Sequence, residues 1–422
     1  MKQNWFIKKA RVLAPYSSFH QQEVDVLIEN GVISAIGNSL ESPSDNYQII
    51  DASGQYLAPG FFDLHVNLGE PGLEHKETIE SGAKAAIAGG FTGIAVQPNT
   101  QPSLSRRAEV ALIVQKSLQQ PVSIYPIGSV SKNREGQSLA ELYDMQQAGA
   151  IAFSDGDRSI QHAGLMSRAL LYSKGINGLI MSHPEDASLS EGAKMNEGVV
   201  STYLGMRGNP NLAESLHVSR DLFLAEYHDS RIHFSTISTK ESVQLIRDAK
   251  AKGIQVTCDV AVHHLVWTDE KVMSFDSHFK VSPPLRTEED RLALLTGLRD
   301  GTIDAIVSQH TPHEVELKKV EFHIAYPGII GLQTALPLAL EAGLEPEEIV
   351  KLMSIHPRQL LGLEQPSLAP HADADFILLD PNASWTYDDQ NNYSLSKNSP
   401  LLGQSLQGRV TFAIHNHQIY RA

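Results

Sequence analysis

Eight short, strand-like apolar runs recur through the middle of the chain with helical stretches between them, and this alternation constrains the fold more than any other feature. The runs cover residues 59–65, 92–97, 122–130, 150–155, 178–183, 231–238, 254–260 and 305–310. Residues 77–88, 106–119, 139–148, 241–251 and 288–299 read as helices, each followed by glycine or a polar turn. Strands of a parallel sheet are covered on both faces, so they read as continuous apolar runs. Eight of them separated by helices predict an α/β fold, a (β/α)8 TIM barrel.

The two ends of the chain have a different texture. Asp25-Val26-Leu27-Ile28, the turn Glu29-Asn30-Gly31 and Val32-Ile33-Ser34-Ala35-Ile36 form a hairpin pattern. The style returns late, in Asp375–Asp380 and Arg409–Ile414, with His415-Asn416-His417 as a turn before Gln418-Ile419-Tyr420. Both ends are therefore expected to build one small β-sandwich domain, residues 1–55 and 366–422, around a barrel at 56–365. A chain of 422 residues is long enough for both.

Charge and composition narrow the setting. The 34 basic residues fall short of the 49 acidic ones, a net charge of −15 that repels a phosphate backbone or an anionic bilayer, so nucleic acid and membrane are excluded as partners. The N-terminal segment is basic at Lys8, Lys9 and Arg11 but lacks the ~7–15-residue apolar stretch of a signal peptide. No run reaches the ~18 apolar residues of a membrane span, and a cytoplasmic protein is expected. The single cysteine, Cys258, lies in an apolar-rich run and reads as a buried thiol.

Barrel chemistry sits where strands end and loops begin, which directs attention to His65, residues 97–99, Asp155, His183, Thr236 and residues 309–313. His65, His183 and His310 end separate expected strands, and His313 follows three residues on. Each histidine alone also fits a hydrogen-bonded structural residue. The acidic groups Glu185-Asp186, Glu288-Glu289-Asp290 and Glu345-Pro346-Glu347-Glu348 read as helix starts, where carboxylates suit the helix dipole.

At Asp63-Leu64-His65-Val66-Asn67-Leu68-Gly69-Glu70-Pro71-Gly72 the sequence resembles the amidohydrolase superfamily, and specifically dihydroorotases of the type that associates with aspartate transcarbamoylase. Further matching stretches are Lys76-Glu77-Thr78-Ile79-Glu80-Ser81-Gly82, Gly89-Gly90-Phe91-Thr92, Pro98-Asn99-Thr100, Ser238-Thr239-Lys240-Glu241-Ser242, His263-His264-Leu265, Pro283-Pro284-Leu285-Arg286 and Asp300-Gly301-Thr302-Ile303-Asp304. The resemblance spans nearly the whole chain. It implies a metal centre, because opening a stable cyclic amide at neutral pH needs an activated water and a Lewis acid on the carbonyl. It places two histidines in an H-x-H on the first strand, a bridging carboxylate after the fourth, histidines after the fifth and sixth, and an aspartate after the eighth that also shuttles the proton.

Here the chain departs from the family. His65 is kept, but the second H-x-H position is Asn67, a weak neutral ligand. The bridging position in Phe153-Ser154-Asp155-Gly156-Asp157 falls on Gly156. His183 is kept. The sixth-strand position is Thr236, and the eighth-strand aspartate is Gln309, which cannot act as a general base. On the substrate side, the arginine that would clamp a carboxylate is Gly69 and one asparagine is Ser282, while Asn99 and His313 match.

Two imidazoles fall short of the about three protein ligands of a catalytic zinc. The resemblance and these departures together lead us to expect a non-catalytic dihydroorotase-like protein of pyrimidine biosynthesis, with no zinc or sub-stoichiometric zinc. Its barrel would support assembly with aspartate transcarbamoylase, self-association, or both. The alternative is an active cyclic amidohydrolase with one zinc in a rebuilt site, drawing on Asp155 or Asp157 and on His264 or His310. A third reading has the vacated pocket hold a small ligand through Asn99, His313 and the loop at Pro327-Gly328.

Overall fold

The computed structural model describes residues 4–41 and 46–422. Eight parallel strands run in sequence order around the barrel: Phe61–Val66, Phe91–Val96, Ser123–Gly128, Ala152–Phe153, Ile180–Ser182, Ile232–Phe234, Val256–Ala261 and Ala305–Val307. Every expected run overlaps one of them. The first and eighth meet through a bridge between Val66 and His310, and the Asn67 N–H donates to the His310 carbonyl at 2.9 Å. This closes the (β/α)8 TIM barrel.

The helices start where the sequence chemistry says they should. Thr78 caps Ile79–Ala88, Thr239 caps Lys240–Ala251, and Thr287 forms a capping box with Asp290 at the start of Glu288–Arg299. Asp186 caps Ala187–Ser190, and Glu345 with Glu348 caps Pro346–Val350, so these acidic groups are helix starts. Two long helices escaped the sequence reading, Ala163–Gly175 and Asn211–His228. The second exposes Leu212, Leu216, Phe223 and Tyr227, which blurs its apolar stripe.

Both chain ends join one eight-stranded sheet, the small β-sandwich domain beside the barrel. Its order runs Gln418–Arg421, Gln404–His415, Phe376–Tyr387, Tyr56–Ala58, Asn4–Val12, Glu23–Glu29 and Val32–Gly37, with Tyr47–Asp51 also paired to Asn4–Val12. Trp5, Ile28, Phe376 and Phe412 are in its core. The hairpin turn has Asn30 and Gly31 at φ 54° and 83°, the left-handed pair that a two-residue turn between twisted strands requires. Gly31 has a second constraint, since a Cβ there would lie 2.0 Å from His417 Nδ1. His417 thus packs turn against turn.

Two segments cross the domain limits expected from sequence. Tyr56–Ala58 pairs with Phe376–Tyr387 in the small sheet. The loop at 388–403 leaves that sheet and reaches the barrel: Glu77 accepts from the Leu395 N–H at 3.0 Å and from the Ser394 hydroxyl, and Asn398 accepts from the His313 N–H at 3.0 Å. Among the described residues no helix is long and apolar enough to cross a membrane.

The loop after the eighth strand is pinned from below by two buried lysines. Lys318 donates to the carbonyls of Tyr326 at 2.9 Å and Gly328 at 3.0 Å, and Lys280 to that of Phe322 at 2.8 Å. Burial, then the neighbouring Lys280, lowers Lys318 to about 7, and burial, then Lys194, lowers Lys280 to about 8. An unfolded lysine holds its proton up to about 10.4, so between pH 7 and 10 the unfolded chain binds more protons and the lysines favour folding as pH rises. Urea unfolding of wild type and Lys318→Met is expected to show a stability difference that shifts toward wild type over that range. A pH-independent difference would contradict it.

Candidate active-site pocket

The pocket forms where the barrel strands end, a cleft of about 440 Å³. His65, Asn67, Asn99, His183, Gln309 and His313 all reach its wall, so positions far apart in sequence converge as barrel geometry requires. Asp63, fully buried, holds the strand ends beneath it by accepting from the backbone N–H groups of His65 at 2.9 Å and Ser308 at 3.0 Å. Burial raises the Asp63 carboxyl to about 7.

Asn67 is committed to structure. Its amide nitrogen donates to the His310 carbonyl at 3.1 Å and to Thr311 Oγ1 at 3.0 Å, and its oxygen accepts from Asn99 at 2.8 Å. The second position of the H-x-H therefore stitches the barrel seam. Gln309 donates to the Ser282 carbonyl at 2.7 Å. Thr236 offers a hydroxyl 3.4 Å from His65 Nδ1.

Gly156 sits at φ 67°, and a Cβ there would lie 1.8 Å from Asn99 Oδ1. Thr236 and Gln309 also have left-handed backbones, at φ 57° and 50°. A β-branched residue in that region is strained by about 1–3 kcal/mol. At Thr236 the strain is offset by a hydrogen bond from its N–H to Asp259 at 2.6 Å. The substituted positions thus keep a specialised backbone without a ligating side chain.

Asp155 is not brought into the pocket, contrary to its expected role as a substitute ligand. Its carboxylate accepts from both the N–H and the hydroxyl of Ser131, and burial raises its pKa. Asp157 does reach the wall, paired with Arg134. His310 is tied at both ring nitrogens, to Glu77 at 3.3 Å and to the Gly331 N–H at 3.2 Å. His264 lies 3.1 Å from the Pro283 carbonyl and is off the pocket wall.

His65 and His183 remain as imidazoles facing the cleft. Burial lowers His65 to about 4, leaving it neutral at physiological pH, and His183 Nδ1 is buried without a partner. Two imidazoles do not fit a catalytic zinc, which takes about three protein ligands plus an open position. Among the described residues, no group of three or more His, Cys, Asp or Glu side chains is arranged to hold a metal.

His313 lines the cleft, but its ring nitrogens are occupied. Nε2 lies 3.0 Å from the Pro327 carbonyl and Nδ1 lies 3.4 Å from Lys76 Nζ. Gly69 has no room for a side chain, since a Cβ would lie 2.1 Å from the Leu73 carbonyl. Two wall residues were missed from sequence, Lys76 and Arg134. Lys76 stood in a matching stretch, whereas Arg134 lies in a turn at φ 58° with no sequence signal for its direction.

The barrel, the small sheet from both chain ends and a polar cleft at the strand ends define a protein of the cyclic-amidohydrolase type. Among solved structures, the L-hydantoinase (dihydropyrimidinase) of Arthrobacter aurescens matches with a TM-score of 0.85 and 25% identity, covering 99% of this chain and 96% of that one. A dihydropyrimidinase from Brevibacillus agri shares the fold at a TM-score of 0.81 and 20% identity, covering 99% and 95%. Residues 54–242 match the family described as dihydro-orotase-like. The dihydroorotase of Geotalea daltonii is 43% identical over 97% of both chains, and that of Syntrophus aciditrophicus 44% identical over 97% of both. The chain belongs to the dihydroorotase family.

Gly156→Asp, which rewrites the family's bridging position, is expected to lower unfolding free energy by about 1–3 kcal/mol through its left-handed backbone alone, with the Asn99 overlap adding to it. Asn99→Ala in the same chain should recover part of the loss. Urea denaturation measures both, and a neutral Gly156→Asp would contradict the close approach.

Proposed function

We propose that this chain is a dihydroorotase-family protein that does not hydrolyse cyclic amides, its barrel retained as a subunit scaffold in pyrimidine biosynthesis. The observation that carries the reading is the hydrogen bonding of Asn67, whose carboxamide seals the barrel seam where the family resemblance places a second metal-binding imidazole. Gln309 supports it, since an amide donating to the Ser282 carbonyl can neither shuttle a proton nor bind a cation as a carboxylate does. The partner we propose is aspartate transcarbamoylase, with self-association as a second mode. Support for that comes from the resemblance to the transcarbamoylase-associated type and from a complete barrel around an altered ligand set.

The competing reading is an active dihydroorotase, interconverting dihydroorotate and carbamoyl aspartate with one zinc. It draws on the relatives bearing that name at 41–44% identity over nearly the full chain, and on the retained His65 and His183. The donor set favours the first reading, because among the described residues no group of three or more His, Cys, Asp or Glu side chains is arranged to hold a metal.

Assaying dihydroorotate hydrolysis and ring closure on zinc-supplemented protein separates them. No turnover above the uncatalysed rate is expected. Metal-dependent turnover would overturn the non-hydrolytic reading. Co-purification of the tagged chain with aspartate transcarbamoylase from its own cells tests the assembly role, and failure to recover the transferase would remove that partner.

A further inference from the structure

We propose that a second cleft, beside the strand-end pocket and separate from it, binds a phosphate monoester of a small polyol, with Lys194 and Lys280 taking the phosphate and Asn209 accepting from a hydroxyl. Such binding is independent of whether the barrel pocket hydrolyses anything. The cleft, of about 420 Å³, opens between the excursion that follows the fifth strand, the segment 280–284 and the turn at 323–327. None of His65, Asn67, Asn99, His183, Gln309 and His313 stands on its wall. Its volume is within the range of small-ligand sites.

Two ammonium groups share this wall, and among the described residues neither is paired with a carboxylate. Lys280 is only 8% exposed, and its Nζ donates to the carbonyls of Phe322 at 2.8 Å and His323 at 3.3 Å. An ammonium carries three N–H groups, so one is left over. Lys194 is half-buried nearby, and its like charge adds to burial in lowering Lys280 to about 8, which leaves Lys280 mostly protonated at pH 7. The one carboxylate on the wall, Glu185, is spent on neutral partners: it accepts from the Ser190 hydroxyl at 2.5 Å and from Asn209 Nδ2 at 3.4 Å. Two like charges left together in a cleft call for an anion. A phosphate carries enough charge to neutralise both, and a lysine ammonium is a common partner for it.

Asn209 adds a second demand. It is 7% exposed, lines the cleft, and keeps Oδ1 buried without a partner. The contact of Nδ2 with the Glu185 carboxylate fixes which way the amide faces, so the unpartnered atom is an acceptor. A buried acceptor of this kind is normally matched by a donor. A phosphate ester with a neighbouring hydroxyl meets both demands in one molecule, its anionic end on the lysines and its hydroxyl on Asn209.

Calorimetry of the full chain with glycerol 3-phosphate, inorganic phosphate and glycerol tests this directly. We expect glycerol 3-phosphate to bind about tenfold or more tightly than inorganic phosphate, and glycerol alone to give no measurable heat. Lys194→Met should weaken the ester about tenfold or more, and Lys194→Arg, which keeps the charge, should recover most of that loss. Asn209→Ala should bring ester and inorganic phosphate to within about twofold of each other. Thermal unfolding should show the ester raising the midpoint of wild type but not of Lys194→Met. No binding of glycerol 3-phosphate, or an unchanged affinity in folded Lys194→Met, would overturn the site. Inorganic phosphate binding as tightly as the ester to wild type would overturn the polyol contact at Asn209.

Discussion

The seam between the first and eighth barrel strands is the constraint on which the pocket depends. A parallel barrel must join its ends, and here the Asn67 carboxamide bonds across to His310 and Thr311 while its N–H takes the His310 carbonyl. Below it, the Asp63 carboxylate gathers the N–H groups of His65 and Ser308. To one side, buried Glu77 holds His310 and the loop at 388–403. Leaving any of these buried polar groups unpaired carries a desolvation penalty of about 1–3 kcal/mol. An asparagine that serves the seam is not free to serve a cation.

The positions around that seam have backbone shapes that their neighbours hold in place. Thr236 and Gln309 remain in left-handed backbone at strand ends, where a non-glycine residue persists only if its surroundings enforce it. Asp259 enforces it at Thr236. The space a side chain at Gly156 would take is filled by Asn99, which in turn bonds Asn67. The substitutions are therefore coupled through contact: a carboxylate at 156 displaces Asn99, and displacing Asn99 loosens Asn67. Neighbours in one hydrogen-bond network change together rather than additively.

Much of this arrangement was readable in the residues. Strands buried on both faces need apolar residues throughout, so all eight runs stood out, and the Asn30-Gly31 turn requires left-handed backbone that few residue pairs supply. His65, His183 and Gln309 were found because strand ends converge in a barrel, and Asn67 through the family resemblance. Side-chain direction was not readable. Asp155 turns to Ser131 and Arg134 turns inward from a loop, and nothing in their local sequence distinguishes those choices. The loop at 388–403 was placed with its neighbouring strands because its bonds to Glu77 and His313 join residues 318 and 85 positions apart, respectively.

Among the described residues His65 and His183 have no third protein ligand, and Asn67 is held by the seam. Diffraction from crystals grown with zinc, recorded at the zinc absorption edge, tests it most directly. The expected result is no ordered anomalous peak at the two imidazoles, with Asn67 bonded to His310, Thr311 and Asn99. An ordered zinc ion there, completed by a third side chain such as Asp157, would contradict it.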